Sequence, residues 1–149
     1  MIELRHATDI DELMRWRLEV IANVFGRNAD NRLAIANRQY YARHIPDGSH
    51  VAFIVSCDSV DVGCGALCIT EELPSPDNPS GRCGYLMNIY VREPYRHKGI
   101  AEAIVHRLID KASSLGCDKI YLEATDMARK LYGAIGFADM KNMMKYDRT

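Results

Sequence analysis

The chain has 149 residues, which suits one domain better than two, so we expect a single domain spanning residues 1–149. Hydrophobic residues make up 48% of the chain, charged residues 26%, and the formal net charge is −1. These values exclude a disordered chain and a general nucleic-acid-binding protein. Charges interrupt the N-terminus where a signal peptide needs an apolar run, and no apolar run approaches the roughly 20 residues of a membrane span. We therefore expect a cytoplasmic protein with no membrane partner.

The front half begins with a predicted strand, "IELRHAT", and a helix for which Thr8 or Asp9 is the predicted N-cap. Leu13, Trp16, Val20 and Val24 recur at helical spacing, which predicts one core-facing stripe. "RLAIANRQYYARH" predicts a second helix. "HVAFIVSC" and "VDVGCGALCIT" predict an antiparallel hairpin closed by the turn "DS". The proline-rich stretch "EELPSPDNPSG" predicts an exposed loop between the two halves of one domain.

The back half predicts a strand ("CGYLMNIYV"), a helix ("GIAEAIVHRLIDKASSLG"), a strand ("DKIYLEA"), a short helix ("TDMARKLYGAIG") and a last strand ("FADMKNMMKY"). Ile100, Ile104, Leu108 and Leu115 form one face of the longer helix. A strand, a helix and a second strand within about 40 residues form a crossover that joins parallel strands. With the hairpin upstream, the sheet is mixed.

Five cysteines are spread through apolar segments, without a CxxC pair or a paired histidine. We predict buried thiols and no metal site.

The stretch "YRHKGIAEAIV" places three basic side chains directly before a glycine and a helix. A helix that begins near Gly99 points its unpaired amide groups and the positive end of its dipole at the preceding loop. Gly99 and the small Ala101 let a ligand approach the backbone, and Arg96 and Lys98 add positive charge. The loop lacks the spacing of a Walker or a dinucleotide motif, so we predict a different ligand with adjacent phosphates.

These residues resemble the acyl-CoA loop [QR]-x-x-G-x-[GA] of the GCN5-related N-acetyltransferases, with Arg96, Gly99 and Ala101 at its defined positions. The strand "YLMNIYV" and the helix after the loop match the same family. So does the segment A-x-x-L-Y-x-x-x-G-F, formed by Ala128, Leu131, Tyr132, Gly136 and Phe137. The resemblance covers residues 84–146 firmly and the earlier chain loosely. It implies an α/β (α+β) fold: a mixed, mostly antiparallel twisted sheet with a central splayed parallel strand pair and about four flanking helices.

The resemblance also implies an acetyl-CoA-dependent N-acetyltransferase that acts on a primary amine by direct attack. The pantetheine arm would lie beside a bulged strand end, and an amide near Ile89 or Tyr90 would polarise the thioester carbonyl. The pyrophosphate would lie over the amides from His97 to Ala101. Tyr132 would protonate the departing thiolate. The expected acetyl-CoA contacts are Asn88, Ile89, Tyr90, Val91, Arg96, His97, Lys98, Gly99, Ile100, Ala101 and Thr125.

Two alternatives stay open at the site. Glu71, Glu72, His44 and Tyr90 are each conceivable as the base that deprotonates the amine or as part of a water relay, although the pattern favours a structural or solvated role for each. Thr125 stands where many family members have an asparagine that contacts pantetheine. Threonine can keep such a contact through its hydroxyl, or it can simply cap the next helix.

Charge divides the chain. Residues 1–80 hold 7 Lys+Arg and 12 Asp+Glu, giving −5, whereas residues 81–149 hold 12 and 8, giving +4. An acidic front half favours a cationic amine acceptor, either a small molecule or a peptide. The alternative function is a non-catalytic acyl-CoA-binding sensor or partner module. The sequence leaves open whether the chain forms a homodimer.

Overall fold

A computed structural model describes all 149 residues. Four α-helices, five strands and one short 3₁₀ helix follow each other along the chain. They are β1 (Ile2–Ala7), α1 (Ile10–Val24), α2 (Asn31–His44), β2 (His50–Cys57), β3 (Val60–Glu71), β4 (Arg82–Val91), a 3₁₀ helix (Glu93–Tyr95), α3 (Ile100–Ser114), β5 (Lys119–Leu122) and α4 (Asp126–Ile135). No helix is both long and apolar enough to cross a membrane.

The five strands form one sheet in the order β1-β2-β3-β4-β5. Strands β1 to β4 pair antiparallel, and β4 pairs with β5 in parallel through the α3 crossover. The mixed sheet and the four helices confirm the predicted fold class. The parallel pair, however, lies at one edge of the sheet and not at its centre, because no strand follows β5.

The last predicted strand, "FADMKNMMKY", is absent. Residues 137–146 contain no strand, and a turn interrupts them at residues 141–142. The apolar residues of this segment do not alternate with polar ones at the period of two that a half-buried strand needs. Consequently Met144 and Tyr146 are exposed (99% and 84%), and the outer edge of β5 has no partner.

The sheet separates two apolar cores. Helices α1 and α2 cover one face, where Leu13, Trp16 and Val20 of the predicted α1 stripe are buried; Val24, at the end of the helix, is exposed. Helix α3 covers the other face with Ile100, Ile104 and Leu108, each almost fully buried. Burying an aliphatic side chain of this size stabilises the fold by about 1.5–3 kcal/mol.

The connections follow the sequence closely. Asp58 and Ser59, with φ of 50° and 69°, form the tight turn of the β2–β3 hairpin. Asp9 caps α1 by accepting a hydrogen bond from the amide of Asp11. The proline-rich loop between β3 and β4 is anchored by the buried Asn78, whose side-chain amide donates to Glu72.

Candidate active site

A bulge bends β4 at Asn88. The pairing of β3 with β4 shifts between Cys64, which faces Tyr90, and Ala66, which faces Met87. Two residues of β4 therefore lie opposite the single Gly65. Asn88 takes a left-handed conformation, with φ of 57°, which is uncommon outside glycine and typical of Asn and Asp. The bulge was predicted from the family resemblance at residues 88–91, and this is where it lies.

Strands β4 and β5 separate just before the bulge. Their parallel register runs from Cys83 with Lys119 to Leu86 with Leu122 and then stops. Beyond that point the backbone of β4 stays paired with β3 on one side only. On the side of β5, residues 87–91 therefore have no strand partner, and the carbonyl oxygen of Val91 is bound by the side chain of Arg96. The gap suits an extended ligand arm.

The loop after β4 presents a row of unpaired amides. His97 and Gly99 both have positive φ, 63° and 80°, and this winds the chain into the start of α3. Gly99 is the N-cap of α3 and supplies no side-chain acceptor. None of the backbone amides of residues 97–102 donates to a protein acceptor, and the first paired amide of the helix is that of Ala103. Six consecutive donors at the positive end of a helix are an arrangement that suits phosphate groups.

Basic side chains border these amides. The Nε of Arg96 donates to the carbonyl oxygen of Val91 at 2.8 Å, and its guanidinium lies 6.0 Å from the centre of the Tyr90 ring. Lys98 lies 5.5 Å from the centre of the Tyr95 ring. Neither cation forms a salt bridge with a carboxylate. Both remain available to an anionic ligand.

The remaining predicted contact residues of the loop and of β4 differ in how far their side chains are buried. The ring of His97 is exposed, and its backbone amide is one of the unpaired donors. Ile100 is buried beneath the loop, and Ala101 is partly buried. Ile89 points to the α3 face, where it lies near Gly65.

Tyr132 lies on α4, partly buried against Phe137 with their ring centres 6.0 Å apart. Its hydroxyl has no hydrogen-bond partner in the protein. Tyr132 lines a groove of about 530 Å³ together with Leu122 and Ala124, at the C-terminal end of β5. Burial raises the pKa of Tyr132, so the phenol holds its proton throughout the neutral range.

Thr125 caps α4. Its Oγ1 accepts a hydrogen bond from the amide of Ala128 at 3.3 Å. Of the two alternatives that the sequence left open, the structure therefore displays the capping role, which leaves the hydroxyl free to donate one further bond.

Sequence reasoning missed a polar cluster on the opposite face of the sheet. Tyr85 of β4 pairs in register with Tyr121 of β5, and their ring centres are 5.0 Å apart. Burial, and after it the nearby charge and hydrogen bonding of Glu123, raises the pKa of Tyr85 to about 12. Glu123 follows Leu122 directly, at the point where the strands separate. No motif signals this cluster, because its members come from two strands and only the register brings them together.

The four conceivable bases lie in different places. Glu71 pairs in register with Arg82 at the start of β4, and Glu72 binds Lys119 at 3.2 Å and Asn78. Six residues of strand, about 20 Å, separate that end from the bulge. His44 contacts Ser49 at 2.7 Å beyond the end of α2. None of these three lies at the gap.

Tyr90, the fourth, is close to the gap but buried. It is 8% exposed and packs edge-on against Trp16 at 6.5 Å. Burial, together with its hydrogen bond and proximity to Glu19, raises its pKa. Tyr90 is therefore placed as a core aromatic residue with little surface of its own.

Comparison with known proteins decides the family. The sequence profile of the acetyltransferase (GNAT) family matches residues 12–137, which include the bulge, the amide loop and α4. The chain belongs to the GNAT family of acetyltransferases. The resemblance read from Arg96, Gly99 and the "LYGAIGF" segment is thereby confirmed.

Several curated GNAT relatives match part of the chain. N-alpha-acetyltransferase MAK3 of Arabidopsis thaliana is 38% identical over 42% of this chain and 35% of its own length. Thialysine N-epsilon-acetyltransferase of Sus scrofa is 29% identical over 48% of this chain and 55% of its own. Glucosamine 6-phosphate N-acetyltransferase 1 of Oryza sativa subsp. japonica is 30% identical over 43% and 39%. The chain thus spans about a third to a half of the length of these relatives.

Solved structures match the whole GNAT fold. A predicted acetyltransferase from Clostridium acetobutylicum, crystallised with acetyl-CoA, has a TM-score of 0.88 at 24% identity, covering 99% of this chain and 96% of the other. A GCN5-related N-acetyltransferase from Ralstonia eutropha JMP134 has a TM-score of 0.80 at 25% identity, covering 99% of both. At such identities the agreement establishes a shared fold.

Proposed function

We propose that this protein is an N-acetyltransferase that moves the acetyl group of acetyl-CoA directly to a primary amine of a small molecule or peptide. The observation that carries the proposal is the run of unpaired amides at residues 97–102, which begins six residues after the free edge of a bulged strand. The first feature suits a pyrophosphate and the second an extended amide-containing arm. CoA has both parts.

The donor would bind largely through backbone groups. The amides from His97 to Ala101 take the pyrophosphate, with Arg96 and Lys98 adding charge. The pantetheine arm lies against Asn88 to Val91 in the gap between β4 and β5, and the Thr125 hydroxyl borders its far side. An amide near Ile89 or Tyr90 donates to the thioester oxygen and stabilises the negative charge that develops there.

Transfer requires a nucleophile and an acid. The amine lone pair attacks the carbonyl carbon of the thioester, a tetrahedral oxyanion forms, and the carbon–sulfur bond then breaks. The departing thiolate takes the proton of the Tyr132 hydroxyl, which burial keeps protonated. A positioned acid contributes about 10²–10⁴-fold to such a step.

The proton of the amine leaves on the other face of the sheet. Tyr85 and Tyr121 point away from α3, since their neighbours Leu86 and Leu122 pack into the α3 core. A neutral Tyr85 accepts the amine proton only as it gives its own to Glu123, and the carboxylate is the final acceptor. We propose this pair as the relay. The arrangement separates the two proton steps by the sheet, with acetyl-CoA entering from the α3 and α4 side and the amine from the α1 and α2 side.

The relatives support an amine acceptor. Their names specify an N-alpha group, an N-epsilon group and the amine of an amino sugar phosphate. The shared chemical feature is a primary amine. We propose that the protein acts in the cytoplasm on an acceptor of this type.

The direct test is an assay of CoA release with acetyl-CoA and a panel of primary amines, preceded by calorimetric measurement of acetyl-CoA binding. Binding together with acetylation of at least one amine supports the proposal. Binding without transfer to any amine, including N-terminal peptides and lysine, favours the non-catalytic acyl-CoA-binding module. Absence of binding rules out both functions.

A further inference from the structure

Arg17 lies on the sheet-facing stripe of α1, four residues after Leu13 and four before Ile21. Its side chain reaches the bulge of β4, where Nη1 donates to the Oδ1 of Asn88 at 2.8 Å. Its Nε donates to the Oδ1 of Asn37 on α2 at 3.0 Å. The guanidinium is therefore held between α1, α2 and the bulge, on the face of the sheet that carries Tyr85.

Both partners of Arg17 are neutral amides. Arg17 forms no salt bridge, in contrast to Arg5, Arg38, Arg92 and Arg129, which pair with carboxylates. The acidic residue two positions further along the helix, Glu19, is already bound by two bonds of 2.8 Å to Arg92. The charge of Arg17 is thus uncompensated.

The titratable groups on which the charge of Arg17 acts most directly are themselves neutral at neutral pH. Its positive charge acts on four buried or partly buried groups, which are Tyr41, His50, Cys64 and Cys68. Burial holds the pKa of His50 down to about 4 and raises the pKa of Tyr41 to about 12, and it raises the pKa of both thiols. All four groups are neutral at pH 7. A partly buried arginine among neutral groups is costly unless a bound anion balances it.

The hydrogen-bond donors of Arg17 that remain unused are arranged in a way that suits an anion. With Nε and one Nη1 hydrogen used, Nη2 keeps both hydrogens and Nη1 keeps one. These form the planar fork that binds carboxylate or phosphate oxygens by two parallel bonds. The two amide contacts fix the orientation of the fork before a ligand binds, which lowers the entropy cost of binding.

We infer that Arg17 is an acceptor-binding residue and that the amine acceptor carries a carboxylate or phosphate group that it binds. This inference rests on the proposed transferase function and narrows its substrate class to amines with an anionic group. It also refines the charge argument from the sequence. The acidic front half attracts the cationic amine, while Arg17, held at the bulge, selects the anionic end of the same molecule.

The test is acetylation of matched acceptor pairs that differ only in the anionic group. One series compares ω-amino acids, from 3-aminopropanoate to 6-aminohexanoate, with the alkylamines that lack the carboxylate. The other compares O-phosphoethanolamine with ethanolamine. We expect kcat/KM to favour the anionic member at least tenfold for one spacer length or for the phosphate, with the difference in KM. The two series distinguish carboxylate from phosphate recognition.

Variants of Arg17 then distinguish a role in acceptor binding from a structural role in supporting the bulge. In Arg17→Gln the preference ratio should fall to about one through a higher KM for the anionic member, and Arg17→Lys should keep part of it. Arg15→Gln, on the exposed side of the same helix, should keep the full ratio. A structural role would instead lower kcat/KM for both members of each pair and leave the ratio unchanged.

Two results would overturn the inference while leaving the transferase intact: a wild-type ratio near one in both series, or an Arg17→Gln variant that keeps the wild-type ratio. Failure of the proposed function looks different, since no amine of either kind would then be acetylated although acetyl-CoA binds.

Discussion

The two sites that we propose, one on each side of the sheet, would recognise their ligands by different means. On the α3 side the proposed donor site is a continuous stretch of chain, residues 88–101, and its main groups are backbone amides. On the α1 and α2 side the proposed acceptor site is assembled from side chains of separate elements, including Arg17, Tyr85 and Glu123. A site made of backbone from one segment tolerates change in most side chains. A site made of side chains from several segments changes with each of them, which is why one family can share a donor and differ in acceptors.

The largest effect is expected on the donor side, at Tyr132. Tyr132→Phe removes the acid but keeps the ring that packs on Phe137. We expect kcat to fall by about 10²-fold or more, because the thiolate then leaves without a proton, while the Kd for acetyl-CoA stays within about twofold. Steady-state kinetics and calorimetry measure the two quantities. Tyr146→Phe, at a residue 84% exposed, is the control, and an unchanged kcat in Tyr132→Phe would remove the acid role.

On the acceptor side, the prediction concerns the proposed proton relay of Tyr85 and Glu123. Tyr85→Phe and Glu123→Gln should each lower kcat/KM about 10- to 100-fold. The double variant should be no worse than either single one, because members of one relay act as a unit. The matched control is Tyr121→Phe, because it removes a hydroxyl from the ring whose centre lies 5.0 Å from that of Tyr85. Additive effects of the two single changes would refute the relay.

A smaller effect is expected at Thr125, where the donor side meets the cap of α4. Thr125→Ala should lower the free energy of unfolding by about 1 kcal/mol through loss of the N-cap bond. Thr125→Asn should preserve it, since asparagine caps equally well. Chemical denaturation measures stability, and calorimetry measures acetyl-CoA binding in the same variants. An affinity loss in Thr125→Ala that Thr125→Asn restores would add pantetheine contact to the capping role.

The last effect is seen only at acid pH and concerns the buried, neutral His50. The native pKa of His50 is held to about 4, while the unfolded chain titrates near 6.5. Between these values the unfolded state binds more protons, so stability falls as pH falls below 6.5. The loss from pH 6.5 to 5.5 is about 1 kcal/mol, and His50→Gln should remove it. The exposed His106→Gln is the control, and equal pH slopes in wild type and His50→Gln would contradict the buried neutral state.

Features built from one stretch of chain were predictable from the sequence, and features assembled from separate stretches were not. The mixed sheet, α3 and its stripe, the hairpin turn and the amide loop were all predictable, because each depends on residues close together in the chain. The C-terminal strand was wrong since the apolar positions from Phe137 to Tyr146 do not keep a period of two. Tyr85 with Glu123, and Arg17 with Asn88, were unpredictable from one sequence. Strand register and helix packing bring them together, and neither leaves a local signal.

The central claim is that unpaired backbone amides at the start of α3 hold the phosphates of acetyl-CoA. The most direct measurement is a calorimetric titration of acetyl-CoA into wild type, Gly99→Asp and Gly48→Asp. Gly48 has φ of 77° and open space around it, as Gly99 does with 80°, so the two changes impose similar strain at different places. A loss of at least about 100-fold in affinity for Gly99→Asp alone, equal to about 2.7 kcal/mol, is the predicted result. Affinity within threefold of wild type in Gly99→Asp, or an equal loss in Gly48→Asp, would contradict it.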